Sequence, residues 1–172
     1  MKYFYLIGSL ILTISSTSSA QTIKDYIKND WPDSRYQVHD NGTATDTYTG
    51  LMWKVCSEGQ TWSSLATCSG TATIHNWQEA LELAISASFA GFEDWRLPNI
   101  VELRSIVSYD RYNPAINITV FPSTQSSYYW SSSPIAYNSY EARLVYFYDG
   151  DDYYTSHARD TKNFVRLVRG RQ

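Results

Sequence analysis

Between residues 76 and 107 the apolar side chains fall at helical spacing over two successive segments. Asn76 occupies an N-cap position with Glu79 three residues on, the pairing of a capping box. Trp77, Ala80, Leu81, Ala84 and Ile85 then line one apolar stripe, and Gly91 closes the helical region. A second helix starts at Pro98 or Asn99, because proline suits the first helical position, and turns Ile100, Leu103, Ile106 and Val107 inward. From Phe121 onward the period drops to two: YYWSSS, ARLVYFYDG and NFVRLVRG read as short strands with polar residues and glycine between them. Upstream, Tyr36 and Val38 alternate, Asn41-Gly42 makes a turn, and Thr43–Thr47 returns as a hairpin that leads into the buried stretch Leu51–Val55. Two helices set between blocks of short strands define an α+β class. Trp53, Trp77, Trp95, Leu103, Val145 and Val165 are expected to share one core.

The first 20 residues do not belong to that pattern. Lys2, the apolar run YFYLIGSLILTI and the small polar stretch SSTSSA follow the order of a secretory signal peptide, with Ser18 and Ala20 before the cleavage point. The run is too short to span a hydrocarbon core of ~30 Å. The mature chain is therefore expected to begin at Gln21, to be exported, and not to insert in a membrane. Residues 21–34 place Ile23, Tyr26 and Ile27 at helical spacing before Pro32, which suggests a short helical arm or linker. Residues 35–172 then form one domain. The mature chain carries 13 Lys and Arg against 17 Asp and Glu, the wrong balance for holding nucleic acid. Cys56 and Cys68 are the only cysteines, and in an exported chain such a pair most simply forms a disulfide.

Tyrosine is concentrated late: Tyr128, Tyr129, Tyr137, Tyr140, Tyr146, Tyr148, Tyr153 and Tyr154 are 8 of the 15 in the chain. Rigid amphipathic rings interleaved with Ser, Asn and Asp make the composition of an antibody-like paratope. In ARLVYFYDG, Val145 and Phe147 suit the core, so Leu144, Tyr146 and Tyr148 face the other way. The expected ligand-binding face is Tyr137, Asn138, Tyr140, Tyr146, Tyr148, Asp151, Asp152, Tyr153, Tyr154, Ser156 and His157. The acidic run Asp149, Asp151 and Asp152 lacks the spaced calcium-loop pattern and reads as a solvated turn rather than a metal site. His39, His75 and His157 are scattered, and neither H-E-x-x-H nor G-x-S-x-G occurs. No catalytic residue, metal or cofactor is expected.

Five segments in order, NGTATDTYTGLMWKVC, NWQEAL, GFEDWRLPNIVELRSIV, YYWSSSP and FVRLVRG, resemble the Legionella collagen-like protein (Lcl) C-terminal domain family from about Arg35 to Gly170. The cysteine loop CSEGQTWSSLATCSG is similar to a disulfide-closed insertion common in these proteins. The resemblance implies a C-type-lectin-like fold, in which two helices pack beside a small twisted antiparallel sheet and long late loops bind a protein or glycan outside the cell. It implies two further things. Some similar domains are variable proteins, rewritten near the gene end by diversity-generating retroelements that convert Asn codons to Tyr, Ser, Asp, His or Thr. The namesake adhesin binds sulfated glycosaminoglycans and forms trimers, so the resemblance also allows an oligomer. The alternative site is then the basic ending, Arg159, Lys162, Arg166, Arg169 and Arg171, although its alternation with Val165, Leu167 and Val168 reads first as a strand with one solvated face. Between Tyr137 and Asp160, five acids face two arginines, the wrong sign for a sulfated polymer. A structural envelope role is the remaining class.

Overall fold

The computed structural model describes residues 20–63, 67–151 and 156–170. In chain order the strands are β1 (Thr22–Ile23), β2 (Tyr36–Val38), β3 (Thr43–Asp46), β4 (Met52–Lys54), β5 (Thr61–Ser63), β6 (Thr67–Ser69) and β7 (Ile74–His75). Helices α1 (Trp77–Ser86) and α2 (Ile100–Ser105) follow, then β8 (Arg111–Tyr112), β9 (Tyr128–Ile135), β10 (Asn138–Tyr146), β11 (Ser156–Ala158), β12 (Asn163–Phe164) and β13 (Val168–Arg169). The chain is a small α+β fold with two helices and several sheets. The main sheet has order β11-β10-β9-β12-β7 and is antiparallel except for the β9–β12 pair. A second sheet has order β13-β4-β3-β2, and β1–β8 and β5–β6 are two-stranded.

Local chemistry explains several of these elements. Both helices begin with a complete capping box, Asn76 with Glu79 and Asn99 with Glu102, so two otherwise orphaned N–H groups are satisfied at each start. The β2–β3 turn uses Asn41, whose Oδ1 accepts from Thr43 N at 3.2 Å and from Thr43 Oγ1 at 2.8 Å. Gly42 follows at φ 81°, and a Cβ there would lie 2.7 Å from the Trp62 ring. Both the backbone angle and the close approach demand glycine. Cys56 and Cys68 form a disulfide that closes the loop containing β5 and β6.

The core is two clusters, not one. Trp53, Leu103, Ile106, Phe121, Tyr129, Val145 and Phe147 pack in the first; Ala80, Ala84, Trp95, Leu97, Trp130, Leu144, Val165 and Leu167 pack in the second. The adjacent pairs Tyr129/Trp130 and Leu144/Val145 belong to different clusters because successive strand residues point to opposite faces. The six residues expected to share a core are thus divided by the main sheet, with Trp53, Leu103 and Val145 in the first cluster and Trp77, Trp95 and Val165 in the second. Leu144 does face with Tyr146, but the second cluster covers it.

Three further expectations are corrected. Ile85 is 81% exposed, because the buried face of α1 runs through Ala80 and Ala84 toward Leu83 and Ala87. Residues 21–34 do not form the expected helical arm, their one helical turn being a 3-10 turn at Asp33–Arg35. Instead β1 pairs with β8, Gln21 Nε2 donates to Pro114 O and Ile116 O at 2.5 and 2.7 Å, and Trp31 Nε1 donates to Ser105 O at 2.8 Å. Finally, NFVRLVRG is not one strand. Its β12 end joins the main sheet and its β13 end joins the second, so residues 165–167 cross between sheets with both sides covered. Residues 1–19 of the expected 20-residue leader lie outside the described residues. Among the described residues no helix is long and apolar enough to cross a membrane.

Candidate functional site

The late strands and the turn after β10 bring three tyrosines and a histidine into one row. Tyr146 of β10 lies opposite Tyr128 of β9, and their rings stack with centroids 4.3 Å apart at 20°. Facing positions in an antiparallel pair hold their Cβ atoms ~5 Å apart, which is what lets rings of this size meet. Tyr148 stacks on Tyr146 at 5.6 Å and 24°. On the other flank His157 of β11, opposite Ala142, meets Tyr128 at 4.5 Å and Trp130 at 6.3 Å.

The fifth ring comes from elsewhere in the chain. Asn113 N and Ala115 N donate to Tyr148 O and Phe147 O at 2.7 and 2.6 Å, binding the segment after β8 alongside the end of β10. This places Tyr112 edge-on to Tyr148 at 6.0 Å, and Lys24 Nζ lies 5.7 Å from the Tyr112 ring. The row therefore runs His157, Tyr128, Tyr146, Tyr148, Tyr112, Lys24. Its end is fixed by a tight turn: Tyr146 N donates to Asp151 O, Gly150 N to Tyr146 O, and Asp151 N to Asp149 Oδ1 at 3.1 Å. A Cβ on Gly150 would lie 2.4 Å from Val107, so the turn is pressed against the end of α2.

Burial among the rings raises the Tyr146 phenol above its ordinary value, and Tyr128, Asp149 and Tyr148 push it further the same way. Tyr148 is 40% exposed and Tyr128, Tyr146, Tyr112 and His157 are half-buried, so the row is held by its neighbours yet reachable from solvent. His157 Nδ1 has no hydrogen-bond partner among the described residues.

Not every expected site residue joins this row. Tyr137 and Tyr140 are 90% and 81% exposed at the β9–β10 hairpin tip. Tyr140 is six residues from Tyr146, up to ~20 Å along an extended strand. Asn138 shapes that tip, its Oδ1 accepting from Tyr140 N at 3.0 Å. Ser156 donates to Glu141 Oε2 at 2.5 Å, next to His157. Asp151 is exposed at the turn. Asp152, Tyr153 and Tyr154 lie outside the described residues. Tyr128, Tyr112 and Lys24 were not among the expected residues. The first could be found from its register opposite Tyr146, whereas nothing local marks the other two.

The basic ending does not form a cationic strip. Arg166 is fully buried and donates to Lys54 O at 3.1 Å, to Val55 O, to Ser57 Oγ at 3.3 Å and to Thr124 Oγ1 at 2.7 Å. Its guanidinium lies 4.9 Å from the Phe121 ring centroid, and burial lowers its pKa. Arg169 pairs with Asp94 at 2.7 Å and covers Phe92, and Arg159 lies 4.3 Å from the Trp77 ring centroid. Lys162 is exposed, and Arg171 lies outside the described residues. Among the described residues no group of three or more His, Cys, Asp or Glu is arranged to hold a metal.

Comparison with known proteins gives one family. Residues 42–169 match the family model described as the Lcl C-terminal domain, which is most of the chain. No curated protein and no solved structure matches.

Proposed function

Because the chain belongs to the Lcl C-terminal domain family, we propose that it is an exported, C-type-lectin-like binding module that recognises a protein or glycan partner and does not transform it. The row of rings from His157 to Tyr112 carries this reading. It is assembled from four separate segments of the chain, and such rings combine apolar contact area with hydroxyl groups that find hydrogen bonds in a partner. The exposed Tyr137 and Tyr140 supply a second contact patch on the same hairpin. Export is supported by the leader pattern and by the Cys56–Cys68 disulfide, which suits an oxidising compartment.

The same reading favours the aromatic row over the basic ending, where Arg166 is held by Val55 O and Thr124, Arg169 by Asp94 and Arg159 by the Trp77 ring. It extends to retroelement diversification, because Tyr, Ser, Asp and His on a fixed sheet are the products expected from rewritten Asn codons. A reverse-transcriptase gene and an adenine-differing copy of the coding end beside this gene would support that extension, and their absence would remove it.

Glycan and protein arrays test the main proposal. The mature protein should give hits that a Tyr146→Ala, Tyr148→Ala double variant loses without unfolding. Hits retained in full by that variant would contradict the choice of surface.

A further inference from the structure

We infer a second binding site, for a neutral hexose unit of a glycan, in the groove between Trp31 and Tyr48. The groove holds about 650 Å³ and shares no lining residue with the tyrosine row. That volume is within the range of small-ligand sites, which combine apolar walls with a few fixed polar groups.

Trp31 is a wall built before any ligand arrives. Its indole Nε1 is fixed on Ser105 O at 2.8 Å, its ring meets Tyr109 edge-on at 5.6 Å, and its carbonyl accepts from Asn117 Nδ2 at 3.0 Å. Arg35 forms the floor. It binds Asp46 through Nε at 2.8 Å and Nη2 at 2.5 Å, and Nη2 also reaches Ser105 O at 3.0 Å. These bonds leave Nη1 without a hydrogen bond among the described residues. The guanidinium lies 6.0 Å from the Trp31 ring centroid and 5.4 Å from that of Tyr48. Tyr48 is 85% exposed although its backbone N–H is tied to Asp46 Oδ1 at 3.0 Å. A large ring is thus held out into water by a fixed backbone, and Ser34 and Asp30 also line the groove, Asp30 paired with Lys28 at 3.1 Å.

The chemistry of this set selects the ligand. A pyranose offers a C–H face that packs on an aromatic ring, and a belt of hydroxyls that both donate and accept. Arg35 Nη1 can donate, Asp30 can accept, and Ser34 can do either. An anionic sugar fits less well, since Asp46 already matches the Arg35 charge and Asp30 pairs with Lys28, so the groove offers no excess positive charge.

The test uses the mature chain with its disulfide intact and ¹⁵N-labelled. It is titrated with neutral oligomers of glucose, galactose, mannose and N-acetylglucosamine, and with a sulfated disaccharide for comparison. The Trp31 indole signal is assigned with Trp31→Phe. At least one neutral oligomer should shift the Trp31 indole and Tyr48 amide signals together and saturably, with a Kd on the order of 1 mM. Raising the salt should leave that affinity unchanged. Tyr48→Ala should weaken it by about tenfold or more with the rest of the spectrum preserved, and Tyr48→Phe should retain it. The inference is overturned if no neutral oligomer shifts these signals at ~20 mM, well above such a Kd. Shifts that survive Tyr48→Ala, or that occur only with the sulfated sugar, overturn it equally.

Discussion

Replacing Arg166 by Met removes a charge that the fold has enclosed completely. The variant keeps most of the apolar shaft but leaves Lys54 O and Val55 O without their guanidinium donor. Each buried acceptor stripped of its donor costs about 1–3 kcal/mol. The two hydroxyls lose less, because Ser57 Oγ keeps the Tyr129 hydroxyl at 2.7 Å and Thr124 Oγ1 still donates to Phe121 O at 2.7 Å. Loss of the contact with Phe121 adds to the cost, up to ~2 kcal/mol for a desolvated cation over a ring. Against this, the variant no longer has to desolvate a guanidinium, a saving of several kcal/mol before its four hydrogen bonds are counted. Those bonds largely repay that penalty in the native protein, so the net expectation is a loss of about 2–4 kcal/mol. Urea unfolding with the disulfide intact measures it as a lower midpoint at an unchanged slope. A variant as stable as the parent, or more stable, would refute the view that Arg166 ties β4, the cysteine loop and the Thr124 segment together.

Three other outcomes follow from the packing and charge of the fold. Leu103→Ala should cost roughly 2–5 kcal/mol by the same unfolding assay, since Leu103 is fully buried in the first cluster. Burial alone would raise the Asp46 carboxyl, but hydrogen bonds from Arg35, Thr49 and the Tyr48 N–H hold it below the ordinary carboxylate range. A depressed folded pKa contributes stability above the unfolded value of about 4 and loses it as pH falls through the folded value. Asp46→Asn should therefore flatten the fall of the urea midpoint in acid, leaving the smaller slope due to groups such as Asp110, whose carboxyl is lowered as well. Intact-mass measurement should find a mature chain starting at Gln21 with no free thiol, and reduction of Cys56–Cys68 should lower stability by about 3 kcal/mol.

The parts of the fold that could be read from the sequence are those whose causes are local. Asn76 with Glu79 and Asn41 with Gly42 each act within four residues, and the structure uses both pairs as the sequence suggests. The start of the second helix and the burial of Leu103, Ile106 and Val107 were legible for the same reason, although the helix ends at Ser105, before the last two. What escaped depends on contacts distant in sequence. The alternation Val165, Arg166, Leu167, Val168 has the pattern of a half-solvated strand, yet its residues pass between two sheets and Arg166 is enclosed. Ile23 and Tyr26 have helical spacing, but pairing of Thr22–Ile23 with Arg111–Tyr112 decides the arm. That same pairing helps hold Tyr112 beside Tyr148, which no local pattern announces. The outward turn of Tyr146 was legible from Val145 and Phe147, while the burial of Leu144 on the same face depends on where α1 and Trp95 pack.

The central claim is that recognition resides in the late tyrosines and not in the basic ending. It is tested most directly by titrating the partner found on the arrays against three proteins across ionic strength: the parent, a Tyr146→Ala, Tyr148→Ala variant, and an Arg159→Gln, Lys162→Gln, Arg169→Gln variant. Loss of two central contact tyrosines should weaken binding by about tenfold or more. The charge variant should bind within a few-fold of the parent, and the parent's affinity should change little between low and moderate salt. Affinity that survives loss of the tyrosines but disappears with the cations, or as salt is raised, would contradict the account.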